Sequence, residues 1–239
     1  MLQVLFTDLF VGLHFIMRWL HVFFGVIWIG HLYYFNFVQG AFMNETDAGA
    51  KSQVLQKLAP RALWWFRWGA MWTFVTGLVM LSLRGHQEAA GGGLAVFASP
   101  YWISILTGAL MATLMFLNVW LIIWPNQKIV IANAVATAGG GAANPAAAGA
   151  AARALVASRT NTMFSIPMLF FMLSASHLVY GVSQNSSLWL YWIALFILIG
   201  ALEGNAIFGK TGPLTTIKGV ITSGFALTGV IVVLISAFI

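Results

Sequence analysis

Long, uninterrupted apolar runs alternate with short polar breaks along this chain. Six runs, near 10–38, 62–83, 101–124, 161–182, 188–208 and 216–238, reach the roughly 20 helical residues that cross a hydrocarbon core. Strands of a membrane barrel would show short segments of alternating polarity instead. The pattern therefore predicts an all-α fold, a polytopic membrane helical bundle of about six transmembrane helices. The first run follows Thr7 and Asp8, a pair suited to capping a helix. It lacks the cleavage pattern of a removable signal peptide and is expected to be retained.

The polar breaks set an expected topology. Lys51, Lys57 and Arg61 separate the first two runs, Lys128, Arg153 and Arg159 the third and fourth, and Lys210 and Lys218 flank the fifth connection. The positive-inside rule makes these three connections cytoplasmic and puts both termini outside, in a bacterial inner membrane. The opposite connections carry only Arg84, or no Lys or Arg at all around 183–187. The whole of 1–239 reads as a single integral membrane domain, with 133–157 an Ala/Gly-rich cytoplasmic connection. That connection is expected to be a plain linker, with a short interfacial helix started by Asn144-Pro145 as the alternative. Residues 85–99, with the Gly91-Gly92-Gly93 turn, are expected to form a flexible loop.

Composition adds exclusions. At 61% hydrophobic and 7% charged residues, the chain cannot be a water-soluble globule. The absence of cysteine removes disulfides, iron–sulfur clusters and covalently attached c-type haem as intrinsic features. The net charge of +6 is spread over the loops, which suits anionic membrane lipid rather than nucleic acid.

Candidate chemistry begins in the first run, where His14, His21 and His31 lie among lipid-compatible residues. Ionisable groups are costly in a bilayer and mark proton paths, ion paths or cofactors. His14 and His21 share a helix face about 10.5 Å apart, and His31 lies about 80° round the helix and about 15 Å further on. His177, in the fourth run, is expected at a depth between those of His14 and His21. A b-type haem between helices needs two imidazoles at similar depth with small residues beside them. This makes His21 and His177 the candidate pair for the haem iron, with His14 and His31 as competing ligands. The alternative is that each histidine hydrogen-bonds across a helix interface. His86, at the second run's edge, is expected to be interfacial.

A second polar group gathers toward the basic loops: Arg67 among Trp64, Trp65 and Trp68, then Asn118, Asn126, Arg159 and Asn161. Tryptophans at a membrane surface are ordinarily anchors and neighbouring arginines snorkel to headgroups. Amides and guanidinia within a span are instead expected to face the bundle interior, Arg18 included. Arg67, Asn118, Asn126 and Arg159 are candidate contacts for a planar, polar or anionic substrate. Glu203, an acid within the fifth run, is expected to pair with a buried arginine, with proton relay as the alternative.

The stretch Arg18 to Gln39, RWLHVFFGVIWIGHLYYFNFVQ, resembles the opening motif of the membrane domain of bacterial cytochrome c-linked urate oxidases. The likeness continues through Pro60–Ala70, Asn118–Lys128, Ser158–Met172 and Glu203–Pro213, nearly the whole chain. It implies a membrane protein that oxidises urate and passes electrons to cytochrome c. His21 is also similar, more distantly, to the first-span histidine of membrane protoporphyrinogen oxidases that bind b-type haem, which implies His21 as an axial ligand. The urate oxidases of this pattern carry a C-terminal cytochrome c domain, whereas no Cys-x-x-Cys-His occurs here. Electron delivery is therefore expected to use a separate cytochrome c or other membrane redox subunit. Two further readings of the same residues stand beside this one. The chain could serve as a non-catalytic accessory subunit or oligomer packed through Gly, Ala and Ser of its third and sixth runs, or as a transporter using the histidines as transient metal ligands.

Overall fold

The computed structural model describes residues 9–239, so the expected Thr7–Asp8 cap lies outside the described residues. Helix α1 (Leu9–Tyr33) runs into a π-helical turn at Tyr34–Gln39 and a short α2 (Gly40–Glu45). A break at Thr46–Asp47 precedes α3 (Ala48–Gln53), a second π turn (Val54–Leu58) and the long α4 (Ala59–Gly92). Helix α5 (Pro100–Leu117) passes through a third π turn (Asn118–Ile123) into α6 (Trp124–Ala138). Then follow α7 (Ala147–His177), α8 (Leu188–Phe208) and α9 (Ile217–Phe238).

The molecule is an all-helical membrane bundle. Among the described residues, five helical stretches are long and apolar enough to cross a membrane: Phe10–Glu45, Ala48–Ala98, Pro100–Ala138, Leu188–Phe208 and Ile217–Phe238. The expected fourth span, 161–182, differs. Its helix starts earlier, at Ala147, and stops at His177, after which 178–187 form a non-helical strap. Ser183 and Ser187 of that strap donate backbone N–H groups to the Ile239 and Phe238 carbonyls, each at 2.7 Å. Helix α7 is less apolar because it is the central element, packed on α5, α6, α8 and α9. Its Thr160, Asn161, Thr162 and Ser165 are all buried within the protein, so lipid does not select their polarity.

Two expected loops are largely helical. Residues 85–92 extend α4, and a 3₁₀ turn (Gly93–Ala98) leads into α5. The glycines signal a loop, but Glu88 holds the extension: one carboxylate oxygen pairs with Arg84 and the other accepts from Trp102 Nε1, both at 2.7 Å. Arg84 also lies over the Tyr101 ring at 3.4 Å. The expected linker 133–157 consists of the end of α6, a turn over 139–146 and the first turns of α7. Alanine, the best helix former, makes an Ala-rich stretch helical rather than flexible. Asn133 Oδ1 accepts from Asn144 N, and Asn144 Oδ1 from Ala146 N, which closes the turn.

Two packing units result. Helix α1 lies along α4, where a Cβ on Gly69 would stand 2.9 Å from Ile27 Cγ2 and 3.1 Å from Trp28 N. Helices α5 and α9 flank α7, each through a glycine. A Cβ on Gly108 would meet the Met168 carbonyl oxygen at 3.2 Å, and one on Gly224 would meet Ile166 Cδ1 at 2.5 Å. The small residues expected to pack the third and sixth runs against a partner thus serve, at these positions, contacts inside the bundle. A core including Trp28, Leu32, Phe66, Met111, Phe164 and Leu195 joins the two units.

Candidate functional site

Two of the three histidines of α1 each hold one ring nitrogen on a backbone carbonyl. His21 Nδ1 lies 2.8 Å from the Thr73 carbonyl oxygen of α4, with Thr76 Oγ1 at 3.3 Å. A carbonyl can only accept, so Nδ1 carries the hydrogen and Nε2 of the neutral ring carries the lone pair. Gly77 leaves the ring its space, since a Cβ there would stand 3.0 Å from His21 Cε1. His31 is fixed in the same way within its own helix, with Nδ1 2.7 Å from the Ile27 carbonyl oxygen. His14 is half-buried and stacks on Phe10 with centroids 6.1 Å apart. His177 is exposed on the last turn of α7, and His86 is exposed on α4. Among the described residues no cluster of three or more metal-ligating side chains forms.

A polar seam joins α1 and α5 to α7, and the third π turn to both α7 and α8. Asn118, at the start of the third π turn, donates through Nδ2 to Asn161 Oδ1 at 2.9 Å and to Glu203 Oε2 at 3.1 Å. Asn161 in turn donates to the Met115 carbonyl at 2.9 Å. In the first π turn, Asn36 Nδ2 reaches the Leu32 carbonyl and Ser158 Oγ, both at 2.9 Å, and the Tyr33 and Ser165 hydroxyls meet at 2.9 Å. The buried amides of α1 and α5 thus both sit in π turns. The extra residue of such a turn rotates a side chain off the regular helical register, and such turns recur at functional sites.

Toward the basic loops, two cations lie over the Trp124 ring, with the Arg67 guanidinium carbon 3.8 Å and Lys128 Nζ 5.7 Å from its centroid. Asn126 donates to the Ile122 carbonyl at 2.7 Å and accepts from Arg153 Nε at 3.1 Å. Arg159 differs from its neighbours. Its Nε and Nη1 are buried without a hydrogen-bond partner, as are Trp120 Nε1 and Gln39 Oε1.

Several expectations change on this geometry. Arg18 does not face the interior but is exposed, along with Trp19. Glu203 takes an amide rather than an arginine as its partner, and the one ion pair among the described residues is Arg84–Glu88. The four candidate substrate residues do not form one cluster through their hydrogen bonds. Asn118 spends both amide hydrogens in the seam, Asn126 is satisfied at both ends and Arg67 is stacked, so Arg159 alone retains unspent buried donors. Sequence reasoning passed over Tyr33, Asn36, Ser158 and Ser165. An amide flanked by aromatics, as in Tyr34-Phe-Asn36-Phe, was the signal available for a helix–helix contact.

In comparisons with known proteins, residues 95–236 match the family described as urate oxidase N-terminal. No curated protein and no solved structure matches.

Proposed function

The chain belongs to the urate oxidase N-terminal family, and on that premise we propose that it is a b-type haem redox protein of the bacterial inner membrane, passing electrons toward a periplasmic cytochrome c. Urate is the candidate donor. The carrying observation is His21: its Nδ1–H is committed to the Thr73 carbonyl, which leaves Nε2 as the ligating nitrogen. Metal-bound histidines characteristically hold their second nitrogen in this way, and the hydrogen bond raises the basicity of the ligand. The donor set therefore fits one axial position of a haem, which when bound supplies one-electron transfer at a potential tuned by its ligands and burial.

For the second position the depth argument favours His177. Helices α1 and α7 run antiparallel where Tyr33 meets Ser165 and Asn36 meets Ser158. His21 and His177 are each twelve residues from the Tyr33–Ser165 contact, both about 18 Å along their helices in the same direction. His14 and His31 remain competing ligands, and His31 shares the tautomer that frees Nε2. Of the proposed substrate contacts, Arg159 offers an anion two buried N–H donors, and a guanidinium left without a partner is costly enough to select one. Arg67, Asn118 and Asn126 act beside it by holding Trp124, α7 and α6 in place.

The test is a reduced-minus-oxidised absorption spectrum of the purified protein, with pyridine extraction of any haem. A b-type signal that His21→Ala abolishes is the expected result; complete absence of haem from folded, reconstituted protein would overturn the redox reading. The accessory-subunit reading is favoured by one observation. Phe15, Trp19, Val22, Phe23 and Val26 form an apolar face of α1 at 52–68% exposure. Under that reading the purified protein lacks haem and comigrates with a larger membrane complex.

A further inference from the structure

Between α1 and the start of α4 lies a cleft of about 600 Å³ that the proposed His21–His177 pair does not line. Its wall carries Val26, Gly30, His31 and Tyr34 from one side and Arg61 and Trp65 from the other. Arg61 sits in the first turn of α4, close to the polar segment that contains Lys51, Ser52 and Lys57. That is the depth of headgroups rather than of acyl chains, and Tyr34 and Trp65 are residues of the interfacial belt. Val26 and Trp65, 68% and 52% exposed, open the cleft sideways toward the lipid.

The donors and acceptors in the cleft are asymmetric. Arg61 only donates, and among the described residues the ion pair is Arg84–Glu88, so no described carboxylate pairs with Arg61. A phosphodiester matches a guanidinium through its two free oxygens. His31 does the reverse. Its Nδ1–H is spent on the Ile27 carbonyl at 2.7 Å, so Nε2 of the neutral ring accepts and calls for a hydroxyl donor. Gly30, beside His31, has no atom within 4 Å of the place its Cβ would occupy, which leaves open space there.

The geometry points to this cleft as a binding site for an anionic phospholipid whose headgroup bears hydroxyl groups. Its phosphate pairs with Arg61, its headgroup hydroxyl donates to His31 Nε2, and its acyl chains leave past Val26 and Trp65. A choline lipid offers the phosphate without net charge or a hydroxyl. This inference does not rest on haem or on urate.

The experiment titrates detergent-purified full chain with phosphatidylglycerol, phosphatidylmethanol and phosphatidylcholine, reading bound lipid by native mass spectrometry. Phosphatidylglycerol is expected to bind about tenfold tighter than the choline lipid, the scale of one charge-assisted hydrogen bond, with phosphatidylmethanol between them. Arg61→Gln removes the preference of phosphatidylmethanol over choline and leaves phosphatidylglycerol only the part that its hydroxyl supplies, whereas Arg61→Lys keeps part of the charge preference. His31→Phe removes only the gap between phosphatidylglycerol and phosphatidylmethanol. Thermal unfolding of each variant in detergent separates lost binding from lost folding, and Arg61 is exposed, so its replacements are expected to fold. Equal binding of glycerol and choline lipids, or unchanged binding in folded Arg61→Gln, would overturn the site. So would displacement of the lipid by millimolar inorganic phosphate, which would make the ligand a soluble anion.

Discussion

Asn118 shows how much a single buried side chain organises here. It is 1% exposed and ties α5 to both α7 and α8 through Asn161 and Glu203. Removing one partner of a buried hydrogen bond leaves the other unsatisfied, which costs about 1–3 kcal/mol. Asn118→Ala and Asn161→Ala should therefore each lower thermal stability in detergent, and the double variant should cost less than their sum. A double-mutant cycle checks this: zero coupling would mean that the two amides act separately. His21 is the corresponding residue on α1, and the ligand role proposed for it rests on a neighbour. Without the Thr73 carbonyl on α4, sequence alone leaves both ring nitrogens equivalent.

Among the elements, the π turns and the short α3 carry most of what the hydrophobic pattern missed. Periodicity registers a helix through 34–39 and 118–123, but not the wider turn that swings Asn36 and Asn118 onto α7, because packing selects that turn. Helix α3 starts from a recognisable cap: the Asp47 carboxylate accepts the Ala50 N–H at 3.0 Å. The Ala50 and Gly49 backbone N–H groups hold the Asp47 carboxyl below its ordinary range. A depressed carboxyl contributes stability above its unfolded pKa, lost as pH falls through the folded one. The α3 amides are therefore expected to keep their protection from hydrogen exchange through neutral pH and lose it in acid. Asp47→Asn should remove this pH dependence, and an unchanged acid profile in that variant would assign the loss to another group.

The whole molecule depends on the helix at its centre, α7, and on how α9 packs against it. A Cβ on Gly224 would clash with Ile166 at 2.5 Å and meet the Met163 carbonyl oxygen at 3.0 Å. Gly224→Leu is therefore expected to separate α9 from α7 and to cost about 1–3 kcal/mol or more, read as a lower unfolding temperature. Topology can be tested directly because the chain has no cysteine. If both termini lie outside, as the loop charges predict, a thiol at Gly140→Cys should label only from the cytoplasmic side, and one at Val179→Cys, where the residue is 92% exposed, only from the periplasmic side. The reverse pattern would invert the molecule. The sequence by itself determined the class, since apolar runs of membrane length admit only helices. It also placed α8 and α9 within a residue of their ends, where polar breaks flank a uniform apolar run. It singled out Asn118, Asn161, Glu203 and the α1 histidines as well, because polarity inside an apolar run is visible without coordinates. Only the tertiary structure decided that α7 is the hub, that Arg18 faces outward, that Glu203 meets an amide, and that His21 presents Nε2. Each of these depends on which helix faces which, and a hydropathy pattern records how apolar a residue's surroundings are without recording whether lipid or protein supplies them.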